Sequence, residues 1–155
     1  MLRFRGFGIL TLITALIATP VLAETATFGQ LTLSPGFQRA AGIANGYISG
    51  SYSLSSVANR DRNKNPCIGF SDPKPDHVMV LEKDFPRLTL KVDTRGKDTT
   101  LVIKSPDGTI RCGDDTGNNK DASIGDSDWK AGTYSIWVGS FEPGQTLDYT
   151  LSARE

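Results

Sequence analysis

Residues Asp98–Asp115, DTTLVIKSPDGTIRCGDD, decide the fold. Leu101 and Ile103 alternate with Val102 and Lys104, the period-two pattern of a strand with one buried face. Ser105-Pro106-Asp107-Gly108 then supplies turn chemistry. Pro106 presets φ, and Gly108 accepts a positive φ. A second short strand, Thr109 to Cys112, returns the chain to Asp114 and Asp115. The stretch therefore reads as a β-hairpin that starts and ends in aspartates, with Asp98 and Asp114 at one end.

Working outward, the same punctuation recurs. Thr27 to Leu33 alternates well enough for a first strand, and Ser34-Pro35-Gly36 stops it. A strand is expected around Gly46 to Ser51, while Gln38 to Ala44 is open to helix. Asn59–Pro66 and Ser71–Asp76 are polar loops, the second broken by two prolines. Val78 to Leu81 is a short apolar run, and Leu88, Leu90 and Val92 alternate with polar residues. After Asp115 the segment up to Gly132 is polar, without periodicity. Thr133 to Phe141 is a strand with Tyr134, Ile136 and Val138 on one face and Trp137 on the other. Leu147, Tyr149 and Leu151 alternate in a last one. No sustained helical period interrupts them. Short strands between Gly and Pro turns predict an all-β chain, an antiparallel β-sandwich of jelly-roll-like arrangement with about eight strands.

The N-terminus bounds the compartment. Arg3 and Arg5 precede the apolar stretch Gly8–Leu22, and Val21 and Ala23 are small residues placed for cleavage before Glu24. The apolar stretch is shorter than the ~20 residues of a spanning helix. Residues 1–23 are therefore expected to be a cleaved signal peptide, with residues 24–155 forming a single exported domain, periplasmic or secreted. Lys and Arg balance Asp and Glu at 17 each, and no basic run is visible. That excludes the phosphate neutralisation nucleic acid demands. Cys67 and Cys112 lie in the exported part. An oxidising compartment favours pairing them, closing a 45-residue loop worth about 4 kcal/mol on a chain-entropy model. Two buried free thiols are the other outcome.

Candidate chemistry gathers around the hairpin. Asp93 and Asp98 flank the turn before it. Asp114 and Asp115 leave it, and Asn118, Asn119, Asp121, Asp126 and Asp128 follow. Calcium takes six to eight oxygen ligands from groups of this kind. A calcium site is thus expected among Asp93, Asp98, Asp114, Asp115 and Asp121, although the spacing is not that of an EF-hand and turn residues alone would give the same composition. His77, the single histidine, has no partner at zinc spacing and is read as a strand-entry residue. His77, Asp93 or Asp98, and Ser127 occur in the chain order of a trypsin-type triad, but Asp128 and Trp129 follow the serine instead of the expected glycines. No residue is therefore assigned a catalytic role. Of the aromatics near the C-terminus, Trp129 and Trp137 are the expected surface platforms for carbohydrate or peptide, with core packing as the alternative.

Several pieces occur together and in order: Leu33-Ser34-Pro35-Gly36-Phe37, Cys67-Ile68-Gly69-Phe70, Pro75-Asp76-His77-Val78, Asp98 to Ile103, Pro106-Asp107-Gly108, Cys112-Gly113-Asp114-Asp115, and Gly132-Thr133-Tyr134 leading into Trp137 to Phe141. Together they resemble the bacterial pre-peptidase C-terminal domain over nearly all the exported chain. The resemblance implies a non-catalytic secreted β-sandwich. Some relatives bind calcium through acidic residues bordering the strands, and some bind polysaccharide or collagen. The expected function is a non-enzymatic binding module contacting polysaccharide or another envelope protein. The alternative is a peptidase-associated or degenerate serine-peptidase-like accessory protein.

Overall fold

The computed structural model describes residues 25–155. The expected signal peptide lies outside the described residues. The described residues form eleven strands: β1 (Gln30–Leu33), β2 (Ile43–Ile48), β3 (Tyr52–Ser53), β4 (Phe70–Ser71), β5 (His77–Leu81), β6 (Phe85–Asp93), β7 (Thr99–Lys104), β8 (Ile110–Gly113), β9 (Ser123–Trp129), β10 (Gly132–Ser140) and β11 (Leu147–Arg154). One sheet runs β2-β11-β6-β9. The other holds β1, β5, β10, β7 and β8, with β4 and β3 continuing along the β5 edge of β10. All pairings between these strands are antiparallel except β1 with β5.

The sandwich is as expected, but its strands number eleven, not about eight. The extra ones lack a readable pattern. β3 and β4 are two residues long. β9, inside the polar segment, places only Ile124 and Trp129 in the core. The region open to helix is a single 3₁₀ turn, Arg39–Gly42, leading into β2.

The hairpin forms as read. β7 pairs β8 with Leu101 opposite Gly113. Gly108, at φ +84°, donates its N–H to the Ser105 carbonyl at 2.9 Å, and Asp107 accepts from the Thr109 N–H. Inward residues of both sheets make one core. Leu101, Ile103, Ile136 and Val138 meet Leu88, Leu90, Val92 and Leu151.

The outer face of β7 and β10 is covered as well. The segment after β3 lies over Val102 and Trp137, burying Leu54 and Cys67 beside them. Cys67 bonds Cys112 on β8, their Cα atoms 5.3 Å apart. The disulfide thus pins this flap to the sheet. β7 is consequently buried on both faces, although its alternation with Lys104 suggested one.

Trp129 and Trp137 are therefore not surface platforms. Trp129 is fully buried, its indole N–H donating to the Asp126 carbonyl at 3.1 Å and its ring lying 4.2 Å from the Arg111 guanidinium. Trp137 does face away from Ile136 and Val138, but the flap covers it and its N–H donates to the Pro73 carbonyl. Large aromatic surface is worth more buried than wet, and each ring finds a carbonyl for its single polar atom.

Candidate acidic site at the sandwich rim

Asp98 enters β7 and Asp114 and Asp115 leave β8, so the hairpin register sets all three at one end. One carboxylate oxygen from each lies within 4.8 Å of the others. The backbone around them is held on several sides. The Asp98 carbonyl accepts from the Phe141 N–H at 3.1 Å, beyond the end of β10. The Asp114 carbonyl accepts from the Ser123 N–H at 3.1 Å, at the start of β9. Between them, residues 116–119 close on themselves, with the Thr116 N–H donating to the Asn119 carbonyl and the reverse bond returning.

Electrostatics at this rim are unbalanced. Partial burial, then the Asp115 and Asp98 charges, push the Asp114 carboxyl above its ordinary value. Two lysines border the group, Lys97 in the same hollow as Asp98 and Lys120 in an ion pair with it. Lys120 donates to Asp98 at 2.6 Å, and that carboxylate holds its ammonium above the usual lysine range. Three carboxylates against these two ammonium groups leave an excess of negative charge.

The remaining expected ligands go elsewhere. The Asp121 carboxylate is buried. It accepts from the Thr94 N–H at 2.8 Å, the Thr94 hydroxyl, the Gly96 N–H at 3.0 Å and the Asn119 amide at 3.2 Å. Burial pushes that carboxyl up, but these donors outweigh it and hold it below its ordinary value. Asp121 is thus a clasp for the 93–98 turn, its acceptor capacity largely used. Asp93 accepts from the Arg95 N–H at 2.9 Å within the same turn, and it does not join the trio. Asp126 pairs with the buried Arg111 at 2.8 Å, and Asp128 with Lys130. Sequence proximity grouped these aspartates around the hairpin; strand direction separated them.

His77 and Ser127 do not meet. His77 is buried in β5 with its Nε2 2.8 Å from the Tyr149 hydroxyl of the opposite sheet, and desolvation pushes its pKa down to about 4. Ser127 lies on β9, the far edge strand of that sheet.

A buried carboxylate next to His77 had no sequence signal beyond the loop prolines. β10 pairs β5 over residues 132–136 and β4 at Ser140 along one edge. Between those contacts the Val138 N–H has no strand partner on that edge. The Asp76 carboxylate accepts it at 2.7 Å, together with the Ser71 hydroxyl at 3.3 Å. Burial pushes this carboxyl up to about 7, more than the two donors lower it, and Asp72 adds to the rise.

No family model matches the chain, and no curated protein matches it. Among solved structures, the chain is similar to the pre-peptidase C-terminal domain of collagenase from Bacillus anthracis, at 14% identity and a TM-score of 0.46, covering 81% of this chain and 94% of that one. It is also similar to CorA, a surface-associated copper-binding protein of Methylomicrobium album BG8, at 9% identity and a TM-score of 0.45, covering 80% of this chain and 98% of that one.

Proposed function

We propose that this chain is an exported, non-enzymatic β-sandwich module that binds a polysaccharide or another envelope protein, and that calcium at Asp98, Asp114 and Asp115 orders its binding rim. The observation that supports the metal reading is the convergence of three carboxylates on one point. Calcium–oxygen distances of roughly 2.3–2.6 Å allow ligands on one ion to lie up to about 5 Å apart. The trio meets that limit. Its donors are all oxygen, which suits calcium and disfavours copper, an ion that prefers imidazole and thiolate. Lys120 stands in the way through its bond to Asp98, but its side chain is 60% exposed and free to swing into water.

With both tryptophans buried, partner contact falls to the exposed parts of the same rim. Phe141 is about half exposed and its N–H is tied to the Asp98 carbonyl. Lys97 and Lys120 share a hollow with it. A calcium ion there would fix the backbone on which Phe141 is presented.

Isothermal titration of metal-stripped protein with calcium tests the reading. Saturable heat, a raised unfolding midpoint and loss of both in Asp114→Asn support it. Silence at millimolar calcium in both measurements ends the metal part. Retention on a glycan or envelope fraction, compared with and without calcium, tests the binding part. Turnover of a peptide substrate that disappears on replacing Ser127 would favour the accessory-peptidase alternative.

A further inference from the structure

A hollow of about 650 Å³ opens on the outer face of the four-stranded sheet, within the roughly 300–1,000 Å³ of small-molecule sites. Strand register builds it. β2 pairs β11 with Asn45 opposite Thr150 and Tyr47 opposite Asp148, and β11 pairs β6 with Thr150 opposite Asp93. Directly opposite residues share a face. Leu151 and Val92 turn into the core, so Asn45, Thr150 and Asp93 form one outward row over three strands. Tyr47 and Asp148 form the next row. Thr94 and Arg95, in the turn after β6, add to the lining.

That turn is fixed by the fold. The Asp93 carboxylate accepts from the Arg95 N–H at 2.9 Å, while Asp121 accepts from the Thr94 and Gly96 N–H groups on either side. Arg95 is thereby held at φ +65°, a conformation uncommon outside glycine. The other polar groups of the hollow are left over for a ligand. The Thr150 hydroxyl donates to Asn45 Oδ1 at 2.9 Å, which leaves both N–H bonds of that amide. Among the described residues, neither the Arg95 guanidinium nor the Asp148 carboxylate has a hydrogen-bond or ion-pair partner.

Charge and shape narrow the ligand. Two carboxylates against one guanidinium leave the hollow negative, which disfavours an anion. Among the described residues, no Leu, Ile, Val or Met lines it, so it offers no anchor for an apolar peptide side chain. A neutral molecule dense in hydroxyls fits, because each hydroxyl donates to a carboxylate or accepts from an amide or guanidinium. Tyr47, beside Asp148, adds a flat surface. Its ring is 47% exposed and is steadied by Phe28 at 4.8 Å between centroids. An aromatic face of this kind suits the apolar face of a pyranose.

We infer that this hollow is the subsite for a neutral sugar of a polysaccharide chain. Asp93 and Asp148 accept from its hydroxyls, Asn45 and Arg95 donate to them, and Tyr47 stacks on the adjoining ring. The inference rests on the polysaccharide part of the proposed function. It adds a contact beyond Phe141, whose hollow takes Lys97 and Asp98 from the other end of the same turn.

Amide-resolved NMR titration of the isotope-labelled protein tests it. The probes are soluble oligosaccharides of glucose, N-acetylglucosamine, xylose and mannose, with oligogalacturonate as the acidic control. Chelator is present throughout, since none of the trio Asp98, Asp114 and Asp115 lines the hollow. Saturable shifts at residues 45–47, 93–95 and 148–150 are expected with a neutral oligomer, and none with galacturonate. Replacing Arg95 and Asp148 together by Ala weakens that binding about tenfold or more, without moving the unfolding midpoint, because both side chains are exposed. Phe141→Ala leaves it unchanged. Silence with every neutral oligomer overturns the inference, as does preference for galacturonate or an affinity that survives the double replacement. Shifts confined to residues 97, 98 and 141 also overturn it, while keeping the polysaccharide reading of the module.

Discussion

Replacing Asp76 by Asn should make the protein more stable at alkaline pH while leaving it nearly unchanged in acid. The carboxyl titrates near 7 in the fold, against an ordinary value of 3.8. The folded state therefore holds one more proton than the unfolded chain between about pH 4 and pH 7, so stability is lost as pH rises through that window. Roughly three units at about 1.4 kcal/mol each come to a cost on the order of 4 kcal/mol above pH 7. Asparagine mimics the protonated acid, and its carbonyl still accepts the Val138 N–H that Asp76 accepts at 2.7 Å. His77 works in the opposite sense. Its pKa falls to about 4 in the fold from 6.5, so stability is lost as pH falls below 6.5. Between pH 4 and 6.5 the two slopes oppose, and the native protein should show little net dependence from this pair. Asp76→Asn unmasks the histidine, giving a variant whose stability climbs across that range. Urea unfolding at half-unit steps from pH 4 to 8 reads the difference between variant and native protein. Parallel curves, offset by a constant, would refute the argument, since they would mean that the carboxyl ionises normally in the fold.

Other predictions concern separate parts of the molecule. Cys67→Ala with Cys112→Ala should cost about 4 kcal/mol and loosen the flap over Val102 and Trp137, read from the unfolding midpoint and from Trp137 fluorescence. Arg111→Met removes the closer of the two arginines paired with Asp126, leaving Arg62 at 3.6 Å, and the donor to the Ser105 hydroxyl at 2.7 Å; a loss of about 3 kcal/mol is expected, while a change under about 0.5 kcal/mol would show that the network contributes nothing. Lys120→Met removes the competing cation, and calcium should then bind several-fold more tightly in the same titration. Weaker binding would mean that Lys120 helps build the rim. Gly69→Ala places a methyl 2.0 Å from the Thr100 hydroxyl at a φ of +99°, and circular dichroism during heating should record a clear fall in midpoint.

The hairpin was legible because its signals are local. Alternation in Leu101–Ile103, a turn of Pro106 to Gly108, and a return through Cys112 together leave one register, and that register alone brings Asp98 to Asp114 and Asp115. The cysteine pairing was legible from parity and the exported reading. β9 was not, because a strand that buries only Ile124 and Trp129 shows no alternation a reader can find. Asp121 looked like a ligand for the same reason as Asp114, since composition carries no direction; in the structure its carboxylate turns back onto the Thr94 and Gly96 N–H groups.

What the linear order of residues determined is the class of fold and one cluster. Strand periodicity, turn residues and a short hairpin act over a few neighbours, so they survive without knowledge of the rest of the chain. What tertiary structure decided is which surfaces meet water. The burial of Trp137 depends on a flap tied down by a bond between cysteines 45 residues apart, and that of Asp76 on a gap between two strands sharing one edge. Each is a long-range contact, and burial belongs to the pair of surfaces that touch, so no single stretch of sequence contains it.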